Sequence, residues 1–128
     1  MANPATGVYA RGVNAYLSVA LGGAVGAALR HGAGQWVAAP WGTLSVNILG
    51  SFLMGALVGT LATHHETHRL LLGVGLLGGF TTFSAFSLDA IRLLEAKQFG
   101  LFALYVGGSV AVSLVALLAG LFLARSFA

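Results

Sequence analysis

The chain has 128 residues, 58% of them hydrophobic and 7% charged, with a mean hydropathy of +0.92, whereas soluble domains run at about 45–50% apolar and about 25% charged. That balance excludes a water-soluble globular fold and specifies an integral membrane protein. The formal charge of +3 is spread over ends and loops with no basic run, which excludes nucleic acid as a partner, and the lack of cysteine excludes disulfides and thiolate metal sites.

The opening residues, MANPATGVYARG, lack the basic segment and apolar run of a cleaved signal peptide, so residues 1–11 read as a short tail. Four apolar stretches follow at 13–29, 43–63, 70–88 and 99–123. Each is near the roughly 20 residues a helix needs to cross a hydrocarbon core of about 30 Å. They predict four transmembrane helices, with spans at about 13–34, 42–63, 70–94 and 99–124, in one domain covering 1–128. The connecting segments RHGAGQWVAAPW, HHETHR and DAIRLLEAKQ hold nearly all the charge. No repeat is visible, which argues against an internally duplicated transporter.

In the first span Gly22 and Gly26 are four apart, as are Ser51, Gly55 and Gly59 in the second and Gly75 and Gly79 in the third. Small residues at this spacing let helix backbones approach closely. The second span also places Thr43, Asn47 and Ser51 on one face, and the fourth does the same with Tyr105, Ser109 and Ser113. For a lone Ser or Thr, interhelical hydrogen bonding is the commoner role. The Asn47 carboxamide, with two donors and two acceptor lone pairs to satisfy, leaves both structural glue and a pore-facing role open.

The third stretch reads LLGGFTTFSAFSLD from Leu76 to Asp89. Glycine and β-branched threonine are weak helix formers, so Gly78, Gly79, Thr81 and Thr82 predict a break near its middle. The alternative is a packing glycine pair in an unbroken helix. Non-helical backbone at membrane depth survives only where protein or a wet cavity satisfies it, and unwound carbonyls there can hold an alkali ion. Phe83 and Phe86 follow on one side of the continuing helix. Two Phe at helical spacing are most often packing, yet a ring turned edge-on offers an anion its positive rim without the grip of a full cation.

Lys and Arg normally gather on the cytoplasmic side. Four crossings put Arg11, Arg69 and Arg125 on one side and Arg30, Arg92 and Lys97 on the other. This balance suits insertion both ways round and an antiparallel dimer, and equally a small count that balances by chance. Four helices are few to enclose an aqueous path, which points to oligomerisation. His64 and His68 in HHETH are i, i+4, but the HExxH spacing of a metalloprotease is missing, so this reads as a polar loop and no enzyme is expected.

Taken together, GGFTTFSAFS, GTLSVNILGSF from Gly42 to Phe52, GGAVGAALRH from Gly22 to His31, and the Tyr105, Ser109, Ser113 stripe resemble the Fluc family of fluoride channels. The resemblance covers all four spans in order. It implies an antiparallel, dual-topology homodimer in the plasma or inner membrane, with the third helix broken mid-membrane, two pores and passive fluoride export. It also implies a structural sodium ion at the dimer interface, held by the main-chain carbonyls of Gly78 and Thr81. Phe83 and Phe86 would then line the fluoride path with their edges and Asn47 would offer its amide. Thr82, Tyr105, Ser109 and Ser113 would form a polar track with Thr43 near it, and Arg30 would lie near a vestibule. Family members commonly end the third-helix motif FSxE, whereas this chain reads FSLD; Asp89 keeps the charge on a shorter stem. Two rivals are weaker. A small multidrug antiporter needs a membrane-embedded carboxylate, which 13–29 lacks, and a passive assembly subunit would leave the predicted break, the Asn47 stripe and the Phe pair unexplained.

Overall fold

A computed structural model describes residues 4–60 and 66–127, with side chains from residue 12 onward. Four long apolar helical segments, Gly12–Trp36, Trp41–Thr60, Glu66–Glu95 and Phe99–Phe127, have the length and composition to cross a membrane. The first lies within α1 (Pro4–Trp36) and the second is α2 (Trp41–Thr60). The third comprises α3 (Glu66–His68), a π-helical stretch (Arg69–Leu77), α4 (Gly78–Phe80) and α5 (Phe83–Glu95), and the fourth is α6 (Phe99–Phe127).

Three boundaries differ from the sequence reading. The backbone is already helical from Pro4, inside the segment read as a tail. The connection after the first span shrinks to residues 37–40, because no proline intervenes before Pro40, whose carbonyl accepts the Leu44 N–H at 3.1 Å as α2 begins. Most of the charged stretch DAIRLLEAKQ, read as a connecting segment, is helical: Ala90 and Leu93 bury one face against Tyr105, and α5 runs to Glu95, in keeping with a third span to about 94. Lys97 then turns the chain with φ 58°, its N–H donating to the Leu94 carbonyl at 2.9 Å. Thr63, His64 and His65 lie outside the described residues.

The small residues decide the packing. A Cβ on Gly22 or Gly26 would run into the main-chain oxygens of Leu71 and Leu76, so α1 lies directly on the third segment. Gly55 and Gly120 do the same for α2 against α6, facing the Leu117 and Phe52 carbonyls. Near-contact of backbones maximises dispersion where lipid gives no hydrophobic drive to association. The π-helical stretch carries Gly73 and Gly75; the missing side chain at Gly75 lets the widened turns sit against Gly22 and Gly23, while Gly73 faces Leu57 and Met54 of α2.

The buried core is small: Phe86, Ala90, Leu93 and Tyr105, with Leu44, Leu101, Phe102 and Val106 around it. Large apolar side chains such as Leu21, Val25, Leu49, Leu114 and Phe122 face outward. In water such a surface would aggregate; in a bilayer it matches the solvent.

Candidate functional site

Between α4 and α5 the backbone leaves the helix for two residues. Thr81 has φ −82°, ψ 156° and Thr82 φ −152°, ψ 124°, both extended. The Gly78–Gly79 pair, expected to share in the break, is helical. Gly78 has φ −63°, ψ −37°, and Gly79 is used for packing, since its Cβ would sit 2.6 Å from the Gly23 carbonyl oxygen. Two β-branched residues in succession are the ones that yield.

Extended backbone inside a helical segment exposes polar groups that need partners. Thr81 N–H donates to the Leu77 carbonyl at 3.0 Å, and the Thr81 hydroxyl donates to the same oxygen at 2.9 Å. Asn47 from α2 meets Thr82 with both ends of its carboxamide: Oδ1 accepts the Thr82 N–H at 2.8 Å, and Nδ2 donates to the Thr82 carbonyl at 2.9 Å. Arg30 from α1 donates from Nη1 to the Thr81 carbonyl at 3.4 Å. Thr82 Oγ1 then caps α5 by accepting the Ala85 N–H at 3.1 Å, with Ser84 Oγ also 3.1 Å away. Side chains from two neighbouring helices thus hold the interruption in place.

The Asn47 amide therefore has one N–H left for a ligand.

A groove of about 460 Å³ runs along this interruption. Asn47 and Ser51 line it from α2, Gly78, Thr81, Thr82, Phe83 and Phe86 from the third segment, and Ser109 and Ser113 from α6. The Phe83 and Phe86 ring centroids are 5.3 Å apart with planes tilted by 41°; Phe83 is 77% exposed and Phe86 9%. A second cavity, about 170 Å³, lies on the other side of Thr82 and is lined by Arg30, Thr43, Val46 and Ala85 among others. Thr82 borders both. Tyr105 lines neither of these two: it is 1% exposed and stacks on Phe86 at 5.5 Å.

Sequence reasoning gave Asp89 no positive role. It is buried at 5% exposure, accepts the Thr43 hydroxyl at 2.6 Å, and has Arg92 Nη1 3.8 Å from Oδ1. The signal was present as a carboxylate at the end of an apolar segment, where burial demands a partner. Thr43 consequently spends its only O–H on this carboxylate and offers the smaller cavity an oxygen acceptor.

The family model for CrcB-like protein, Camphor Resistance (CrcB), matches residues 17–121. Among curated relatives, the fluoride-specific ion channel FluC of Novosphingobium aromaticivorans is 48% identical over 120 residues, covering 86% of this chain and 95% of the relative. The FluC of Phenylobacterium zucineum is 50% identical over 123 residues, covering 88% and 97%. That of Rhizobium etli is 46% identical over 125 residues, covering 91% and 99%. The family match takes in the interruption, its Asn47 and Arg30 partners and the groove beside it, and the chain belongs to the CrcB-like protein family.

Proposed function

We propose that this chain is a fluoride channel of the plasma or inner membrane, working as an antiparallel, dual-topology homodimer with two pores and with its third span broken at mid-membrane. The observation that carries the reading is the side-chain-held interruption at Thr81–Thr82 opening onto a groove that holds the Phe83–Phe86 pair, Asn47 and two serines. The names of its relatives add fluoride as the ion.

Fluoride is small and tightly hydrated, so a conducting path has to replace its water with donors. The groove offers the spare Asn47 N–H, the Thr82, Ser109 and Ser113 hydroxyls, and ring edges. Among the described residues no Lys or Arg lines it; Arg30 lines the smaller cavity instead. An ion is thereby solvated without being held by a full opposite charge, and it can leave. Export needs no energy source. Neutral HF enters from acid surroundings and dissociates inside, and the membrane potential drives the anion outward.

The donor set also fits the sodium ion. In a continuous helix the Thr82 N–H would bond the Gly78 carbonyl; here that N–H goes to Asn47, so the Gly78 oxygen loses its helical partner. Thr81 O accepts only the long bond from Arg30 and keeps a second lone pair. Gly78 and Thr81 from two antiparallel copies would supply four neutral oxygens, a set that suits a monovalent hard cation, whose role would be to hold the two interruptions together. Sodium is the natural candidate by size and abundance.

Fluoride efflux from liposomes containing only this protein tests the reading. Release should be rapid when a potassium ionophore clamps the potential, and fluoride that stays trapped while a control channel releases it refutes the assignment. A tag on the C-terminus should be reachable from both sides of the membrane; strictly one-sided labelling refutes dual topology.

A further inference from the structure

The interruption strands donors as well as carbonyls. In a continuous helix the N–H groups of Phe83 and Ser84 would bond the carbonyls of Gly79 and Phe80. With Thr81 and Thr82 extended, they open α5 instead, and first-turn N–H groups have no partner inside their own helix. Thr82 Oγ1 satisfies only Ala85. The N–H groups of Phe83 and Ser84 have no hydrogen-bond partner among the described residues.

Across the groove stands Ser109 of α6. It is 6% exposed, and its hydroxyl is fully buried without a hydrogen-bond partner among the described residues. Five other hydroxyls are satisfied within their own helices. Ser18, Thr60, Thr81, Ser87 and Ser126 each return their hydroxyl to the carbonyl four residues back, the usual resort of a hydroxyl on an apolar helix. Ser109 does not bond the Tyr105 carbonyl, and its O–H is left for something in the groove it lines.

We propose that the N-terminus of α5 and Ser109 form one anion seat, in which the main-chain N–H groups of Phe83 and Ser84 and the Ser109 hydroxyl take over part of the water shell of a fluoride ion. The proposal rests on the fluoride reading above and adds main-chain donors to it. A helix N-terminus carries about half a positive charge, which attracts an anion without holding it as an ammonium or guanidinium would. It also gives Thr82 a purpose beyond the cap: by taking the Ala85 N–H on its own hydroxyl, it leaves the two preceding N–H groups free.

The test uses full-length protein in liposomes. Replacing the Phe83–Ser84 amide by an ester deletes one N–H and keeps every side chain, and Ser109→Ala deletes the hydroxyl. Each change should raise the fluoride concentration giving half-maximal efflux by roughly tenfold, the scale of one hydrogen bond to a charged group. Half-saturation that stays at the wild-type value in both single variants overturns the seat while wild-type efflux leaves the channel assignment standing. Wild-type protein that releases no fluoride overturns both. Should the ester-containing chain fail to reconstitute, Ser109→Ala decides alone.

Discussion

Asn47→Ala is the most informative single perturbation, because one side chain supplies both partners of one peptide residue. Its Oδ1 takes the Thr82 N–H at 2.8 Å and its Nδ2 gives to the Thr82 carbonyl at 2.9 Å. Truncation orphans both groups at once, and each orphaned buried polar group costs about 1–3 kcal/mol. The groove beside Thr82 is open enough to admit water, which supports the lower half of that range for each group, so the expected loss is about 2–4 kcal/mol in the stability of the folded protein. Asn47→Asp retains the acceptor for the Thr82 N–H and sets an oxygen against the Thr82 carbonyl; it should also lose stability and, by placing a negative charge in the groove, suppress fluoride efflux more than its stability loss explains. Denaturant unfolding in detergent measures the first quantity and liposome efflux the second. A loss below about 0.5 kcal/mol for Asn47→Ala, with efflux unchanged, would refute the view that Asn47 holds the interruption.

Phe83→Ile and Phe86→Ile should each slow efflux in liposomes while leaving the protein monodisperse, since aliphatic bulk replaces the ring but not its positive edge; unchanged flux in both would make the pair simple packing. Gly26→Ala pushes a methyl into the Leu76 carbonyl and should cost about 1–3 kcal/mol in unfolding experiments, whereas Gly32→Ala, with nothing within 4 Å of the added carbon, should be neutral or stabilising by up to about 1 kcal/mol. Thr43→Val removes the hydroxyl that donates to Asp89 at 2.6 Å and should cost about 1.5–3 kcal/mol, with Thr43→Ser restoring most of it.

The four apolar segments were legible because hydropathy over some 20 residues is a summed property that tertiary detail hardly alters. Their ends were less so. Charge at 89–98 set that stretch among the connecting segments even though the third span was taken to about 94; Ala90 and Leu93 repeat at helical spacing, and burial against Tyr105 outweighs the exposure of Arg92 and Glu95 on the other face. The glycine pair misled for a related reason. Gly78 and Gly79 are poor helix formers in isolation, yet close approach to Gly23 offsets that propensity, and the backbone gives way at the threonines that follow. Propensity ranks residues one at a time; whether a glycine breaks a helix or lets it pack depends on a neighbour some fifty positions away. The partners of Asn47, Arg30 and Asp89 were beyond sequence reading for that same reason, being contacts across 35, 51 and 46 positions of chain.

The extended pair divides the third segment into two helix ends of opposite polarity. The end of α4 is rich in carbonyls that have lost their N–H partners, and the start of α5 is rich in N–H groups that have lost their carbonyls. Had side chains answered all of these groups, the interruption would be a sealed defect. They answer selectively: Asn47 and Thr82 Oγ1 take the N–H groups of Thr82 and Ala85, and Arg30 and Asn47 take the carbonyls of Thr81 and Thr82. Among the described residues, the Gly78, Gly79 and Phe80 oxygens on one side and the Phe83 and Ser84 N–H groups on the other are left over. On the fluoride reading those remainders are the useful part. On the proposed reading, one end of the break would hold a cation and the other would pass an anion, with no ionised side chain needed in the groove.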